Sequence, residues 1–295
     1  MASNPQATGN AALKAAVMAA PTQERKATPY EAFKSKLDTL DTEMKSLLGS
    51  ADAVQRFKRV VLNAVIETES LLEADRVSLL TACTKAAKDG LMPDGVQATL
   101  NIYRTNIGTR DNPRWVNKVQ YLPMVRGLLD ILWGTGQFAY IDAAAVYEQD
   151  RFVYTRGLDV KLEHEPFLDG ERGPVVAAYF VARLKGSEGF PKIEVIGKAD
   201  IETIRAASKA ANGPGWTTWY DQFAIKSVIK RACKQLPRID RLEQAIAADN
   251  EALDFDFNQA THRSTNPVAI GNDPSPTLEP AQVQAETVAA DAGVA

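Results

Sequence analysis

The 295-residue chain is poor in the residues that most enzymatic and metal centres are built from. It has two cysteines, Cys83 and Cys233, far apart and without a CxxC spacing. That pattern excludes a disulfide framework and a structural zinc site as working expectations. Two histidines, His164 and His262, leave little for a metal centre or a histidine base. No apolar run approaches the length needed to span a bilayer, and the alanine-rich first twenty residues are too mild for a secretory core, so a cytoplasmic location is expected. No GxxxxGK[ST] is present, and Gly197-Lys198-Ala199 fails that pattern. Gly134-Thr-Gly136 lacks the third glycine of a dinucleotide loop, and neither GxSxG nor HExxH occurs. Asp142, Glu148, Asp150, Glu163 and Glu165 lie on or near predicted strands, where carboxylates are more often solvated charges than ligands of a nuclease Mg²⁺. The expectation is therefore a protein that is not an enzyme and has no catalytic residue, no resident metal and no cofactor. Any dependence on Mg²⁺ is left open.

What is present is unevenly distributed. The formal net charge is −3, but residues 1–96 are neutral, residues 97–245 carry +4 and residues 246–295 carry −7. A mildly basic middle is thus followed by a strongly acidic end. Residues 1–28 are rich in Ala, Gln, Thr and Pro and bury little, which predicts disorder. Residues 29–248 read as a core, and 249–295 as an acidic, largely disordered tail. Within that tail Asp254-Phe-Asp-Phe257 fits partner docking and simple packing equally well.

Helical spacing of Phe33, Leu37, Leu40, Met44, Leu47 and Leu48 predicts a helix from Pro29 to Leu48, ended by Gly49. Residues 52–70 and 76–88 read as two more. The runs VQATLNIYRT and WVNKVQYL flank the polar loop NIGTRDNP and predict a β-hairpin. A short helix is expected at 123–134, then strands at 138–147, 151–155, 158–163, 175–184 and 191–197. Helices resume at 199–211, 216–236 and 239–248, with Pro237 ending the long one. The sum is an α+β fold: N-terminal helices, an antiparallel sheet with a β-hairpin packed by helices, and a long basic helix near the C-terminal end of the core.

That long helix carries the functional argument. At about 100° per residue, Ile225, Val228, Ile229, Ala232 and Leu236 form an aliphatic face, and Trp219, Phe223, Lys226, Lys230 and Lys234 form a separate one flanked by Arg231. A solvated amphipathic helix is the ordinary explanation of such lysines. It leaves two large aromatic rings on the cationic face without a role. A nucleic-acid strand would use both, since phosphates pair with ammonium groups and bases stack on rings at roughly 1–3 kcal/mol each. A second basic cluster, Arg104, Arg110, Arg114, Lys118 and Arg126, lies on or near the hairpin with Trp115 and Tyr121 among it. Strand alternation places Lys118 and Gln120 on one face and Tyr121 on the other.

Five segments then bear comparison with a known family. They are Gly90-Leu-Met-Pro-Asp-Gly95; Val119-Gln-Tyr121 with Arg126-Gly127; Thr135-Gly136-Gln137; Val146 through Phe152; and Trp216 through Pro237 with its Asp221, Phe223-Ala224, Lys226-Ser227, Lys230-Arg231, Lys234 and Leu236-Pro237. In order and spacing, over roughly residues 50–245, they resemble the RecT family of phage and prophage recombinases, which anneal single-stranded DNA. The family carries Lys-Gly where this chain has Arg126-Gly127, and often Gly-Tyr where it has Met124-Val125. The resemblance implies ATP-independent annealing of single strands into nascent duplex in a homo-oligomer, either a ring or a helical filament. It implies cooperation with a 5′–3′ exonuclease and with a host single-strand-binding protein, inside a bacterial cell. It further implies that Lys118, Arg126, Lys226, Lys230, Arg231 and Lys234 neutralise phosphates, that Gln120 bonds the backbone, and that Trp219 and Phe223 stack on bases or wall the groove. The rival reading is an oligomeric scaffold or assembly protein without annealing activity.

Overall fold

The computed structural model describes residues 27–253 apart from 159, 187–190 and 209. The first 26 residues and the tail from 254, with its Asp254–Phe257 motif, lie outside the described residues.

The chain opens with helices. Helix α1 (Pro29–Thr39) begins in a capping box, in which the Thr28 hydroxyl accepts from Glu31 N and the Glu31 carboxylate accepts from Thr28 N. The single helix expected to Leu48 is broken at Leu40, and α2 (Asp41–Leu48) follows. Lys58 on α3 (Ala51–Glu67) lies against the break and pairs with both Asp38 and Asp41. A one-turn helix α4 (Ser70–Glu73) leads to α5 (Arg76–Asp89), capped by the Asp75 side chain. Phe57, Val61 and Val65 of α3, Met44 of α2 and Leu79, Cys83 and Ala86 of α5 are fully buried together.

Strands β1 (Ala98–Asn106) and β2 (Trp115–Pro123) form the expected antiparallel hairpin, paired from Ala98 with Pro123 to Asn106 with Trp115. Alternation acts as the sequence suggests: Val119 and Tyr121 are buried, and Lys118 and Gln120 stay partly open. Pro123 ends β2 rather than starting the next helix, so α6 runs from Val125 to Gly134. A three-stranded antiparallel sheet follows in the order β3 (Phe138–Tyr147), β6 (Val175–Leu184), β7 (Lys192–Gly197). Between β3 and β6 a second hairpin, β4 (Arg151–Thr155) and β5 (Lys161–Glu165), folds separately.

Helix α7 (Lys198–Ala207) continues directly from β7. The long helix expected over 216–236 occurs as three pieces: α8 (Pro214–Thr218), α9 (Tyr220–Ala232) and a 3₁₀ turn at Cys233–Gln235. Trp219 sits at the first break with φ −118° and ψ 41°, outside helical geometry. The aliphatic face of α9 packs on the sheet, and Ala224, Val228 and Ile229 are fully buried. After Pro237 the chain turns into α10 (Asp240–Ala252). Its Leu242, Ala245, Asp249 and Ala252 are buried, so ordered packing runs past the expected core boundary at 248. No helix among the described residues is long and apolar enough to cross a membrane.

Candidate nucleic-acid interface

The residues singled out from the sequence divide into several environments. Lys118 and Gln120 of β2 line a groove of about 330 Å³, with Ser78, Thr81 and Lys85 of α5 opposite. Its remaining wall is the last turn of α10, where Ala248, Glu251 and Ala252 face it. The Lys85 ammonium pairs with the Glu251 carboxylate across this groove at 2.7 Å. The Gln120 Oε1 is buried and accepts no hydrogen bond among the described residues.

Lys226 and Lys230 do not face solvent, which corrects the expectation of an outward cationic stripe on this helix. They are 3% and 5% exposed. The cause is α10, whose Asp249 is fully buried between them. One Asp249 oxygen accepts from Lys226 Nζ at 2.9 Å and the other from Lys230 Nζ at 2.7 Å. Burial raises the cost of ionising Asp249, but the two ammonium groups outweigh it and hold the carboxyl below its ordinary range. Burial likewise pushes Lys230 below its ordinary value, against the pull of Asp249. Phe223 is half-buried rather than presented, with its ring 5.1 Å from that of Trp216 and Lys226 Nζ 5.1 Å from its own centroid. Phe223, Lys226 and Lys230 therefore do share one crevice, as helical spacing implies, with Trp216 in place of Trp219, but Asp249 of α10 and Leu253 just after it close it. The buried Trp216 Nε1 has no acceptor among the described residues.

Trp219 is exposed, at 59%, because the break before α9 turns it out of the stripe. Arg231 is partly buried and clamped by two acids: its Nε pairs with Glu194 of β7 at 2.8 Å and its Nη1 with Asp200 of α7 at 3.1 Å. Arg126 is exposed on the first turn of α6 and pairs with Asp130 at 2.9 Å. Lys234 is exposed on the 3₁₀ turn. In the hairpin, Arg104 lies over the exposed Trp115 ring at 5.2 Å. Among the described residues no group of three or more His, Cys, Asp or Glu side chains is placed to hold a metal ion.

Sequence reasoning missed Lys85, Ser78, Thr81, Asp249 and Glu251. Lys85 gave no signal, since its contacts with β2 and α10 are long-range. Asp249 did leave one: it shares a helical face with Leu242, Ala245 and Ala252, and an acid on an apolar face points to a buried pair.

Several quoted segments turn out to hold the frame. In Gly90–Gly95 the two glycines take positive φ, 70° and 79°, and Asp94 Oδ1 accepts from Val96 N and Gln97 N. Gln97 then accepts from Met92 N and donates to Asp130 of α6. Asp150 is the hub of another segment. It accepts from Tyr147 N, Phe167 N, Arg172 and His164 with no side-chain exposure. Burial works against its charge, but these donors hold the Asp150 carboxyl well below the usual carboxylate range.

A model of the RecT family matches residues 55–265. The chain belongs to the RecT family. Protein RecT of Escherichia coli (strain K12) is 32% identical over 197 residues, which is 67% of this chain and 71% of that protein. Membership in the RecT family makes this, in general terms, a single-strand annealing recombination protein. The match spans α3 through α10 and so takes in both the open groove and the closed crevice.

Asp89, at the end of α5 beneath α10, supplies a pH test of this packing. Burial pushes its carboxyl up to about 6, partly opposed by Lys88, Arg241 and Lys85. A raised carboxyl favours the protonated fold, so its contribution is greatest below about 4 and is lost as pH rises towards 6. With solvent and lysine screening, the loss is on the order of 1–2 kcal/mol. Urea unfolding of Asp89→Asn should lack this decline. An unchanged difference between variant and parent from pH 4 to 7 would contradict it.

Proposed function

We propose that the protein binds single-stranded DNA, oligomerises along it as a ring or helical filament, and anneals complementary strands without ATP during homologous recombination. The family match over residues 55–265 carries this reading. In it the protein is not an enzyme and needs no cofactor. It works beside a 5′–3′ exonuclease and a host single-strand-binding protein in the bacterial cytoplasm.

The physical basis is electrostatic. Two strands repel through their phosphates, and neutralising those charges lowers the barrier to pairing. A protein that holds the backbone leaves base edges free, so sequence is read by base pairing itself. Duplex is more stable than its separated strands, so no hydrolysis is needed to drive the reaction. Lys118, Gln120 and Lys85 supply a backbone-sized polar groove, with Arg126, Lys234 and the exposed Trp219 as further contacts. Assembly of many copies adds avidity to a modest charge per subunit.

Fluorescence anisotropy with oligo-dT should report binding that weakens steeply with salt. A complementary oligonucleotide added second should be annealed equally with and without ATP. Lys118→Ala should weaken binding and reduce the salt slope by about 0.7, the value of one single-strand phosphate contact. Salt-insensitive or absent binding would instead favour a scaffold protein.

A further inference from the structure

We propose that α10 is a removable plug: it occupies the strand-binding channel of the free protein, and DNA binds fully only when α10 swings out. The inference rests on the DNA-binding reading and concerns how that same site is regulated.

Three observations carry it. First, α10 stands between two lined cavities. Glu251 and Ala252 face the groove that holds Lys85, Lys118 and Gln120. Asp249 and Leu253 face the crevice that holds Trp216, Phe223, Lys226 and Lys230. Withdrawing this one helix would join them into a single channel with lysines from α5, β2 and α9. Second, the carboxylates of α10 take the lysines as strand phosphates would. Asp249 accepts from Lys226 and Lys230, and Glu251 from Lys85. Lys226 and Lys230 are one helical turn apart, about 6 Å along the axis, a spacing at which successive phosphates can take one ammonium each. Third, buried polar atoms with no hydrogen-bond partner among the described residues line both cavities, Gln120 Oε1 in the groove and Trp216 Nε1 in the crevice. An indole N–H and an amide oxygen are groups that a nucleotide can bond.

The attachment of α10 suits a plug. It has no side-chain cap at Ile239 and joins the core through Pro237-Arg238, both exposed. Its apolar contact is made by the buried Leu242, Ala245 and Ala252, by Leu253 just after it, and by the partly buried Ile246 and Ala248. Its buried polar contacts include the ion pairs of Asp249 with Lys226 and Lys230, and for these an incoming polyanion competes directly. The segment after α10, residues 253–295, carries a net −5, and DNA phosphates repel it together with the released helix.

A tether tests this. In a full-length C83A/C233S background, K85C and E251C replace the pair that bridges α5 and α10, and a thiol-cleavable bis-maleimide joins them. Tethered protein should bind oligo-dT at least about ten-fold more weakly than the same protein after linker reduction, because the competent state is depopulated. Equal affinity before and after reduction would overturn the plug. If the reduced protein and the unmodified parent both fail to bind, the DNA-binding reading itself falls. Hydrogen exchange on the unmodified chain gives a second measurement. Amides 240–252 should lose protection when two complementary oligonucleotides are added in sequence. Retained or increased protection there, in protein that binds the DNA, would also overturn it.

Discussion

Replacing Asp150 with alanine should cost the fold about 3 kcal/mol, which removes much of the stability of an ordinary domain. The side chain is wholly buried and accepts from Arg172, His164 and two backbone N–H groups. Alanine supplies none of the four acceptor positions. The donors would stay buried without partners, and that penalty exceeds the worth of the bonds themselves. The half-open Arg172 recovers part of it by turning to water, which keeps the figure below that of a fully sealed ion pair. The consequence is local at first. Phe152, His164 and Tyr179 pack ring against ring around this carboxylate, with centroids 5.5–6.0 Å apart, and these rings join the β4–β5 hairpin to the sheet. Urea unfolding at neutral pH measures the effect, with Arg238→Ala as a control at an exposed pair. A variant as stable as the parent would show that the hairpin is held by its rings alone.

Gly127→Ala should be nearly as damaging, at about 2–3 kcal/mol. A Cβ built there would lie 2.2 Å from the Gln97 carbonyl oxygen and 2.8 Å from a Leu91 methyl. The nearer obstacle is backbone, which cannot rotate away. To relieve the clash, α6 must move off the 91–97 turn and loosen the Met124 N to Gln97 O bond of 2.9 Å. The same turn precedes the groove-lining hairpin, so the variant should lose affinity for oligo-dT along with stability. Thermal unfolding and anisotropy on the same preparation would check both. A substitution tolerated in both measurements would mean that α6 and this turn are not rigidly joined.

The two positions also explain what the family-like segments encode. Asp150 and Gly127 lie in runs first read for their likeness to an annealing family, and both hold the scaffold rather than a ligand. The likeness in Gly90–Gly95 has the same origin, a turn that needs two positive φ values and an Asp94 cap.

Much of the architecture was readable in the chain. Period-two patterning located the strands and put Tyr121 and Lys118 on opposite faces, of which the structure buries the Tyr121 side. Period-3.6 patterning located α3, α5 and the aliphatic face of α9. Breaks within helical patterns were not readable. Leu40 and Trp219 each interrupt a sequence that reads as one continuous helix, because nothing local forbids its continuation. At Leu40 the break is flanked by Asp38 and Asp41, which Lys58 of α3 holds together.

The site shows the same division more sharply. The sequence by itself determined that Phe223, Lys226 and Lys230 share a face apart from the aliphatic one, since side-chain direction follows from residue spacing along a helix. Only the tertiary structure decided what covers that face. Asp249 reaches the two lysines because the chain reverses after Pro237 and lays α10 across α9; its place on an apolar face marks a buried pair, but not which partners 19 and 23 residues away complete it. A charge pattern states which surface seeks a counter-charge. It does not state whether a strand of DNA or the protein's own helix supplies it, because both satisfy the same electrostatics.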